Sequence, residues 1–299
     1  MTGFTIARAE EAALPACFAL LPMLAAPEAI LFAARDADGT LAGAGGILWQ
    51  SWNEPGGFPI WVHVLPDRRQ QGIGRALVDA LTAQTAQTAG ELGSLWAAQP
   101  LPEKGEAAAF ARACGFSAEH RQLFFETDAR NFLDQITSTV DRLRARGRIP
   151  QEAHVVPLDE APTDEVGLLV AQEFRSGPLR MAQMLRRSMS ADPDEAPVDR
   201  LGSRVLMVDN QIVGALLSRR TGADTAHIVC NVVAPEWRKS WSNALLLEGF
   251  TRATIAANRT RIGFDCRDDV RDTIGLAARS GADHVKTDSL FRYAVAGAD

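Results

Sequence analysis

The residues with the clearest chemical potential form a loop between a predicted strand and a predicted helix. Arg68 and Arg69 lie in this loop, Gly72 and Gly74 open the helix, and Arg75 follows them. The first amides of a helix have no intrahelical acceptor, and glycine lets a ligand approach the backbone closely. Because the positive helix end also favours negative charge, the pattern predicts a site for a ligand that carries phosphates.

Two other phosphate-binding motifs do not fit this loop. In a dinucleotide-binding fold a third glycine would stand at position 77, which is Leu77, and the glycines would follow the strand directly. A Walker loop requires Gly-Lys-Ser/Thr, which does not occur in the sequence. The glycines of 43–46 lie inside a strand pattern, where close packing or a bulge explains them better than ligand binding.

The elements that must position the loop alternate between strand and helix. Strands are predicted at 4–9, 29–35, 40–50, 60–65, 92–98 and 122–127, and helices at 10–24, 72–89 and 106–114. The helix over 72–89 carries its apolar residues on one face and has Gly90 as a C-cap. The order β-α-β-β-β-α-β-α-β predicts a mixed α/β (α+β) sheet with helices on its faces.

The chain repeats itself at a domain-sized period of about 165–171 positions. Segments recur in the same order: 41–44 at 212–215, 64–69 at 233–238, 76–78 at 244–246, 110–116 at 276–282 and 123–125 at 290–292. Between the copies, Phe132, Ile136, Val140 and Leu143 have helical spacing, and Pro150 lies beyond the helix end. We therefore predict a first domain over 1–128, a linker helix over 129–152 and a degenerate second domain over 153–299.

The loop resembles the pyrophosphate loop of the GNAT superfamily of acyl-CoA N-acyltransferases. Residues 69–74, Arg-Gln-Gln-Gly-Ile-Gly, match that family's Arg/Gln-x-x-Gly-x-Gly/Ala pattern, and Gly115-Phe116 matches its late helix end. The resemblance covers 4–127 and, more faintly, 153–296, and it implies two tandem GNAT-like domains.

The resemblance also implies a cofactor, acetyl-CoA, and the residues that hold it. The cofactor-binding residues of the loop would be Arg69, Gln70, Gln71, Gly72, Ile73, Gly74 and Arg75, with the amides of 70–74 and Arg75 on the pyrophosphate. The pantetheine arm would pair with the backbone of Val62 and Val64 like an added strand. An amide near Val64 would polarise the thioester carbonyl for direct attack by an amine held in a ternary complex.

The sequence departs from the family at the general acid. The late-helix position where the family often has a tyrosine is Ala111, and the chain's one tyrosine is Tyr293. Candidate catalytic residues are His63, on the cofactor strand but facing away from its valines, and Glu54, in a loop with Trp49, Trp52 and Trp61 nearby. His63 also fits a packed or surface histidine, and Glu54 a solvated carboxylate.

The second copy keeps the strand and the proline but changes the loop. In 237–243, Trp-Arg-Lys-Ser-Trp-Ser-Asn, the glycine positions hold Ser240 and Ser242, or Trp241 and Asn243 after a one-residue slip. Either change crowds the approach of a phosphate. We expect this copy to have lost the cofactor and to serve the sheet core and the acceptor pocket.

Composition excludes several classes of partner. The 299 residues carry a formal net charge of −6 without a basic stripe, which argues against nucleic acid, and no apolar run is long enough to span a membrane. The four cysteines lack metal-site spacing and fit free thiols in a reducing compartment. A start without a signal peptide predicts a cytoplasmic protein, and the abundance of arginine and alanine suggests a GC-rich bacterial source.

These observations favour an acetyl-CoA-dependent N-acetyltransferase that acts on a small-molecule amine, as a monomer or homodimer, without a metal. A non-catalytic acyl-CoA sensor or scaffold, and an O-acyltransferase, remain alternatives.

Overall fold

The computed structural model describes residues 3–25, 28–48, 57–89, 93–173, 178–192, 195–238 and 240–295. The chain divides into two compact units. Unit 1 consists of Met1–Arg121 with Thr287–Asp299, and unit 2 consists of Gln122–Lys286. Among the described residues, no helix combines the length and the apolar composition needed to cross a bilayer.

Strands and helices alternate through both units. The strands are β1 (Phe4–Arg8), β2 (Ala29–Asp36), β3 (Leu41–Leu48), β4 (Gly57–Val64), β5 (Ser94–Ala97), β6 (Leu101–Pro102), β7 (Ser117–Asp128), β8 (His154–Pro157), β9 (Arg204–Val208), β10 (Gln211–Thr221), β11 (Thr225–Val233), β12 (Arg261–Arg267) and β13 (Asp283–Ala294). The helices are α1 (Leu14–Leu20), α2 (Ile73–Ala89), α3 (Glu106–Ala113), α4 (Ala129–Ala145), α5 (Thr163–Glu173), α6 (Pro178–Ser190), α7 (Ser240–Ala256) and α8 (Arg271–Ser280).

Unit 1 has a mixed sheet that strand β13 completes. Strands β1 to β4 pair antiparallel in sequence order, and β4 then pairs parallel with β5. The other edge of β5 pairs antiparallel with β13, where Trp96 lies opposite Arg292 and Ser94 opposite Ala294. The strand that follows α8 in the second copy therefore belongs to the sheet of unit 1.

Unit 2 repeats this arrangement, and its sheet is completed by a strand from the first copy of the repeat. Strands β8 to β11 pair antiparallel, and β11 pairs parallel with β12. The other edge of β12 pairs antiparallel with the second half of β7, from Gln122 opposite Arg267 to Asp128 opposite Arg261. The mixed α/β fold predicted from the element order is confirmed in both units.

Helix α4 is the helix predicted between the two copies. Asp128 caps it, accepting hydrogen bonds from the amides of Arg130 at 3.0 Å and Asn131 at 2.9 Å. Its buried residues Phe132 and Val140 join the hydrophobic core of unit 2, so α4 belongs to that unit by packing. The domain division at 1–128, 129–152 and 153–299 follows the repeat along the sequence and stays a prediction.

Two elements differ from the sequence-based prediction. The helix predicted over 10–24 is α1 flanked by the 3-10 turns Glu11–Ala13 and Pro22–Leu24, because Pro22 has no amide hydrogen with which to continue the α-helical pattern. Strand β7 begins at Ser117, well before the predicted start at 122, in a polar stretch that period-2 patterning does not mark.

The glycines of β3 serve close packing. A Cβ atom at Gly43 would lie 2.7 Å from the carbonyl oxygen of His63, and one at Gly46 would lie 2.5 Å from a methyl group of Leu24. The packing explanation of this glycine cluster is confirmed.

Candidate functional site

Strands β4 and β5 separate partway along their length and form a fork. Their parallel pairing ends at Ile60 and Ala97, and the amide of Ala98 makes a last bond to the carbonyl of Ile60 at 3.2 Å. On its other edge β4 stays paired with β3 as far as Val64. Beyond Ile60, one edge of β4 therefore has no pairing with β5 among the described residues, and an extended ligand can bond there as an added strand.

A cavity of about 180 Å³ lies at this fork, and we call it the fork cavity. Strands β4 and β5, helices α2 and α3 and the segments that follow β5 and α3 enclose it. Its lining residues are Ile60, Trp61, Val62, Val78, Ala97, Ala98, Gln99, Leu101, Ala107, Phe110, Ala111 and Phe116. Gln99 is exposed and contributes a polar end, whereas the other lining side chains are apolar or aromatic.

The predicted anion loop leads from β4 into α2. A 3-10 turn covers Pro66–Arg68, and the chain then takes left-handed conformations at Gln70 (φ 62°) and Gly72 (φ 85°). The first bond of the helix joins the amide of Ala76 to the carbonyl of Gly72 at 3.1 Å, so the preceding amides of α2 have no helical acceptor. A Cβ atom at Gly72 would meet nothing within 4 Å, which leaves this backbone accessible to a ligand.

Two of the three arginines near the loop fix its conformation. Arg68 pairs with Asp36 at 3.1 Å and with Asp67 at 3.6 Å. The Nε atom of Arg69 donates to the carbonyl of Val64 at 3.3 Å, at the end of β4. Arg75 is exposed in the first turn of α2, where its charge is available to an anion.

Phe110 connects the loop to the fork cavity. A Cβ at Gly74 would lie 3.0 Å from ring atoms of Phe110, which also lines the cavity. Because glycine leaves room for this ring, the start of α2 packs closely against α3. The structure thus brings Val62, Val64 and the loop residues to one side of unit 1, as the phosphate-ligand prediction requires.

His63, one of the two predicted catalytic residues, is not among the residues that line the fork cavity. His63 pairs with Ala44 across β3 and β4 and faces away from Val62, since neighbouring side chains of a strand alternate. Glu54 lies outside the described residues, together with Trp49 and Trp52. Trp61 is partly buried, lines the cavity and also packs against a core cluster of unit 1.

The general-acid position of the resembled family falls inside the cavity. Ala111 lines it and is buried, but its methyl group can neither donate nor accept a proton. Tyr293 does not replace it, because its ring packs 5.4 Å from that of Phe116 and within 3.1 Å of a Cβ at Gly115, outside the lining residues. The described lining residues include no titratable side chain.

The cysteines are free, and burial makes them poor nucleophiles. Burial raises the pKa of the Cys17 and Cys114 thiols, and it raises that of Cys230 to about 12 and that of Cys266 to about 11. A thiol that stays protonated near neutral pH does not attack a thioester. The interpretation of Cys114 as a buried helix-end thiol therefore agrees with the structure.

The corresponding loop of unit 2 is shorter and closed by its own side chains. The Nε atom of Arg238 donates to the carbonyl of Val233 at 3.0 Å, matching Arg69 and Val64 in unit 1. Between the 3-10 turn and the helix there are two residues in place of four.

Side chains take the place of the open backbone in this second loop. The hydroxyl of Ser242 donates to the carbonyl of Trp237, and Trp241 is buried 6.0 Å from the ring of Trp237. A ligand therefore meets an indole and a serine where unit 1 presents glycines.

A polar cluster in unit 2 was not found from the sequence. The parallel pairing of β11 and β12 ends at His227 and Gly263, and the Nε2 atom of His227 lies 2.6 Å from an oxygen of Asp265. The other oxygen of Asp265 accepts a hydrogen bond from the amide of Gln122. A Cβ at Gly263 would lie 2.7 Å from the His227 ring, so this glycine makes room for it. These residues come from three distant segments, and no local spacing marks them.

Comparison with known proteins found a family model that is similar to part of the chain. Residues 27–118 match the family model described as an acetyltransferase (GNAT) domain. This range includes the strands of the fork, the loop and α3. A search of curated protein sequences gave no match.

Solved structures share the fold over almost the whole chain. A tandem GNAT protein from the clavulanic acid biosynthesis pathway is 18% identical, with a TM-score of 0.54 over 99% of this chain and 100% of that one. A probable N-acyltransferase from Enterococcus faecalis V583 is 13% identical, with a TM-score of 0.65 over 98% of this chain and 72% of that one.

A third structure belongs to a longer protein. The glucosamine N-acetyltransferase region of a fungal multidomain β-N-acetylglucosaminidase is 13% identical, with a TM-score of 0.58 over 97% of this chain. The chain spans 38% of the length of that protein.

Proposed function

We propose that the chain is a two-domain member of the GNAT superfamily, and that unit 1 is an N-acyltransferase that transfers an acetyl or other acyl group from coenzyme A to a small amine. One observation carries the proposal. The unpaired edge of β4 and the open backbone at Gly72 lie at the same end of unit 1. A ligand with a phosphate end and an extended amide arm fits this combination.

The phosphate end would bind at the loop. The amides at the start of α2 precede the first helical hydrogen bond, and Arg75 adds a positive charge beside them. Gln70 and Gly72 turn the backbone through left-handed conformations, which curves the loop toward the ligand. Arg69 holds the loop to the end of β4, so its role in the proposal is to position these amides.

The arm would extend along β4. The backbone of Val62 and Val64 offers hydrogen-bonding groups on the edge that β5 leaves free. This places the thioester in the fork. An amide of β4 near Val64 would bond to the thioester oxygen and stabilise negative charge as it develops there.

Transfer would proceed by direct attack of the amine. Its lone pair forms the new C–N bond to the thioester carbon, and the C–S bond breaks with the electron pair leaving on sulfur. Holding the amine beside the carbonyl supplies much of the rate. The thiolate can leave unaided or take a proton from water, because it is a weaker base than an alkylamine. His63, or Glu54, which precedes β4 in the sequence, is our candidate for accepting the proton of the amine.

A panel assay tests the proposal. Acetyl-CoA is titrated into the wild-type protein by calorimetry, and small amines are then screened by free-thiol release and mass detection of the amide. We expect one binding site per chain and an amide product. If acetyl-CoA binds but no amine of the panel causes release of free coenzyme A, the catalytic part of the proposal is rejected. Two sites per chain would show that unit 2 also binds.

A second candidate function is acyl-CoA binding without transfer. The absence of titratable side chains among the described cavity residues, with Ala111 at the general-acid position, favours it. A sensor would bind acetyl-CoA tightly and form no product. An amide or ester product would eliminate it, and the product would also distinguish N-acyl from O-acyl transfer.

For unit 2 we propose a structural role. Its shortened loop with buried Trp241 opposes phosphate binding. We propose a cytoplasmic protein that works as a monomer or homodimer on a small-molecule amine. Its four cysteines are free and three of them are buried, which agrees with a reducing compartment.

A further inference from the structure

The fork cavity has more apolar space than an acetyl group fills. Ala97, Ala98, Ala107 and Ala111 contribute four of its walls, and each side chain is a single methyl group. Larger residues at these positions would occupy the space. The volume of about 180 Å³ exceeds the cavity of about 150 Å³ that binds benzene when apolar side chains line it.

The cavity extends from the part of β4 where the arm would pair to the closed end of the fork, since Val62, Trp61 and Ile60 all line it. The loop lies at the Val64 end of the strand, and Phe110 lines the cavity and packs against the start of α2 at Gly74. The closed end of the fork lies at Ile60 and Ala97, two residues beyond Val62 along β4. An arm that enters at the loop therefore directs its thioester end toward this closed end.

Helix α3 bounds the same space on the opposite side. Ala107 and Ala111 are one turn apart and both line the cavity. Ala111 is buried with 7% of its surface exposed, so the wall it forms is fixed by the helix. An apolar chain leaving the thioester would meet methyl groups here and no charge.

We propose that the fork cavity receives the acyl chain of the donor, and that unit 1 prefers acyl groups of about four to six carbons over acetyl. This inference rests on the proposed function, because it specifies the donor of the same site. Each methylene that enters an apolar cavity is expected to improve binding about fourfold. Hexanoyl-CoA should therefore exceed acetyl-CoA by at least about tenfold in kcat/KM or, where no turnover occurs, in affinity.

The test measures a series of donors from acetyl-CoA to octanoyl-CoA, with coenzyme A as the chain-free reference. Affinity is measured by calorimetry and kcat/KM by thiol release with an amine that the panel assay identifies. We expect a maximum at four to six carbons and a decline at eight, where the chain exceeds the cavity.

A variant pair separates the cavity from the surface of the same helix. Ala111→Leu fills part of the fork cavity from α3 and should reduce the preference for hexanoyl over acetyl at least tenfold, with acetyl-CoA affected less than threefold. Ala109→Leu makes the same change at an exposed position of α3 and should leave the series unchanged. If Ala111→Leu does not fold, Ala98→Leu makes the test from the β5 side, outside any helix or strand.

The outcomes distinguish this inference from the proposed function. Amide formation with acetyl-CoA as the best donor would overturn the acyl-chain preference and leave the transferase proposal intact. Equal affinities of coenzyme A and every thioester would assign the cavity to the pantetheine arm and overturn the inference. Rising affinity with chain length in the absence of turnover would support the acyl cavity and reject catalysis. The absence of binding by any donor would overturn both.

Discussion

The left-handed backbone at Gly72 allows a test that separates ligand approach from backbone strain. Gly72 has φ 85°, and a Cβ atom there would have no other atom within 4 Å. Gly222, in the β10–β11 hairpin of unit 2, has φ 71° with equally open space. Alanine at either position should cost about 1–2 kcal/mol of left-handed strain, partly offset by the lower entropy of the unfolded chain. Both variants should therefore lose about 1 kcal/mol of stability.

The two variants should differ in their affinity for acetyl-CoA. At Gly72 the new methyl group stands where a phosphate would contact the backbone. The loss of a hydrogen bond to a charged group, about 1.5–3 kcal/mol, corresponds to about 10- to 150-fold weaker binding. Gly222→Ala should bind as the wild type does. Gly72→Trp should abolish detectable binding.

Calorimetric titration and chemical denaturation of the same samples provide both numbers. If Gly72→Ala binds acetyl-CoA as tightly as the wild type does, the backbone at position 72 does not contact the phosphates and the site assignment is wrong. If both variants lose affinity equally, the loss comes from stability and gives no information about the loop.

Three further predictions concern the cavity, the polar cluster and the thiols. Ala111→Tyr should raise kcat on the order of 100-fold over Ala111→Phe if protonation of the thiolate limits transfer, and equal rates would exclude that step as limiting. Asp265 hydrogen-bonds to His227, and Asp265→Asn should lower the free energy of unfolding, measured by denaturant titration, by about 1–3 kcal/mol. The affinity for acetyl-CoA should stay unchanged. A loss of affinity would contradict a purely structural role of the His227–Asp265 pair. The raised pKa values of Cys230 and Cys266 mean that the folded state keeps the thiol protons to higher pH than the unfolded chain does. The free energy of unfolding should therefore keep this contribution below about pH 9 and lose it as the pH rises toward 11–12. Rapid alkylation of the native protein at pH 8 would contradict the burial of these two thiols.

The open conformation of the loop after β4 could be predicted from the sequence because it depends on neighbouring residues. Glycines and arginines within a few residues determine a backbone conformation, and Gly72 has the open, left-handed geometry that such a loop requires. The duplication was also predictable. Arg69 and Arg238 occupy matching positions of the repeat, and each donates to the carbonyl at the end of its strand.

The pairing partners of the last strands could not be predicted. Both copies end in a strand of similar pattern, and alternation indicates that a segment is a strand without specifying its neighbour. The structure pairs Leu123 with Cys266 and Tyr293 with Leu95, so each copy's last strand contributes to the other copy's sheet. The His227–Asp265 pair was missed for the same reason, since it depends on which strands lie side by side.

This exchange of strands has a consequence for how the protein is made. Trp96 and Arg292 are about 200 residues apart along the chain, and their pairing completes the sheet of unit 1. During synthesis from the N-terminus, β5 lacks this neighbour until β13 has left the ribosome. A chain cut at the end of the first repeat would leave the edge of β5 open to another molecule. The two copies therefore complete their folding together. Expression or loss of one copy alone would remove a strand from the sheet of the other.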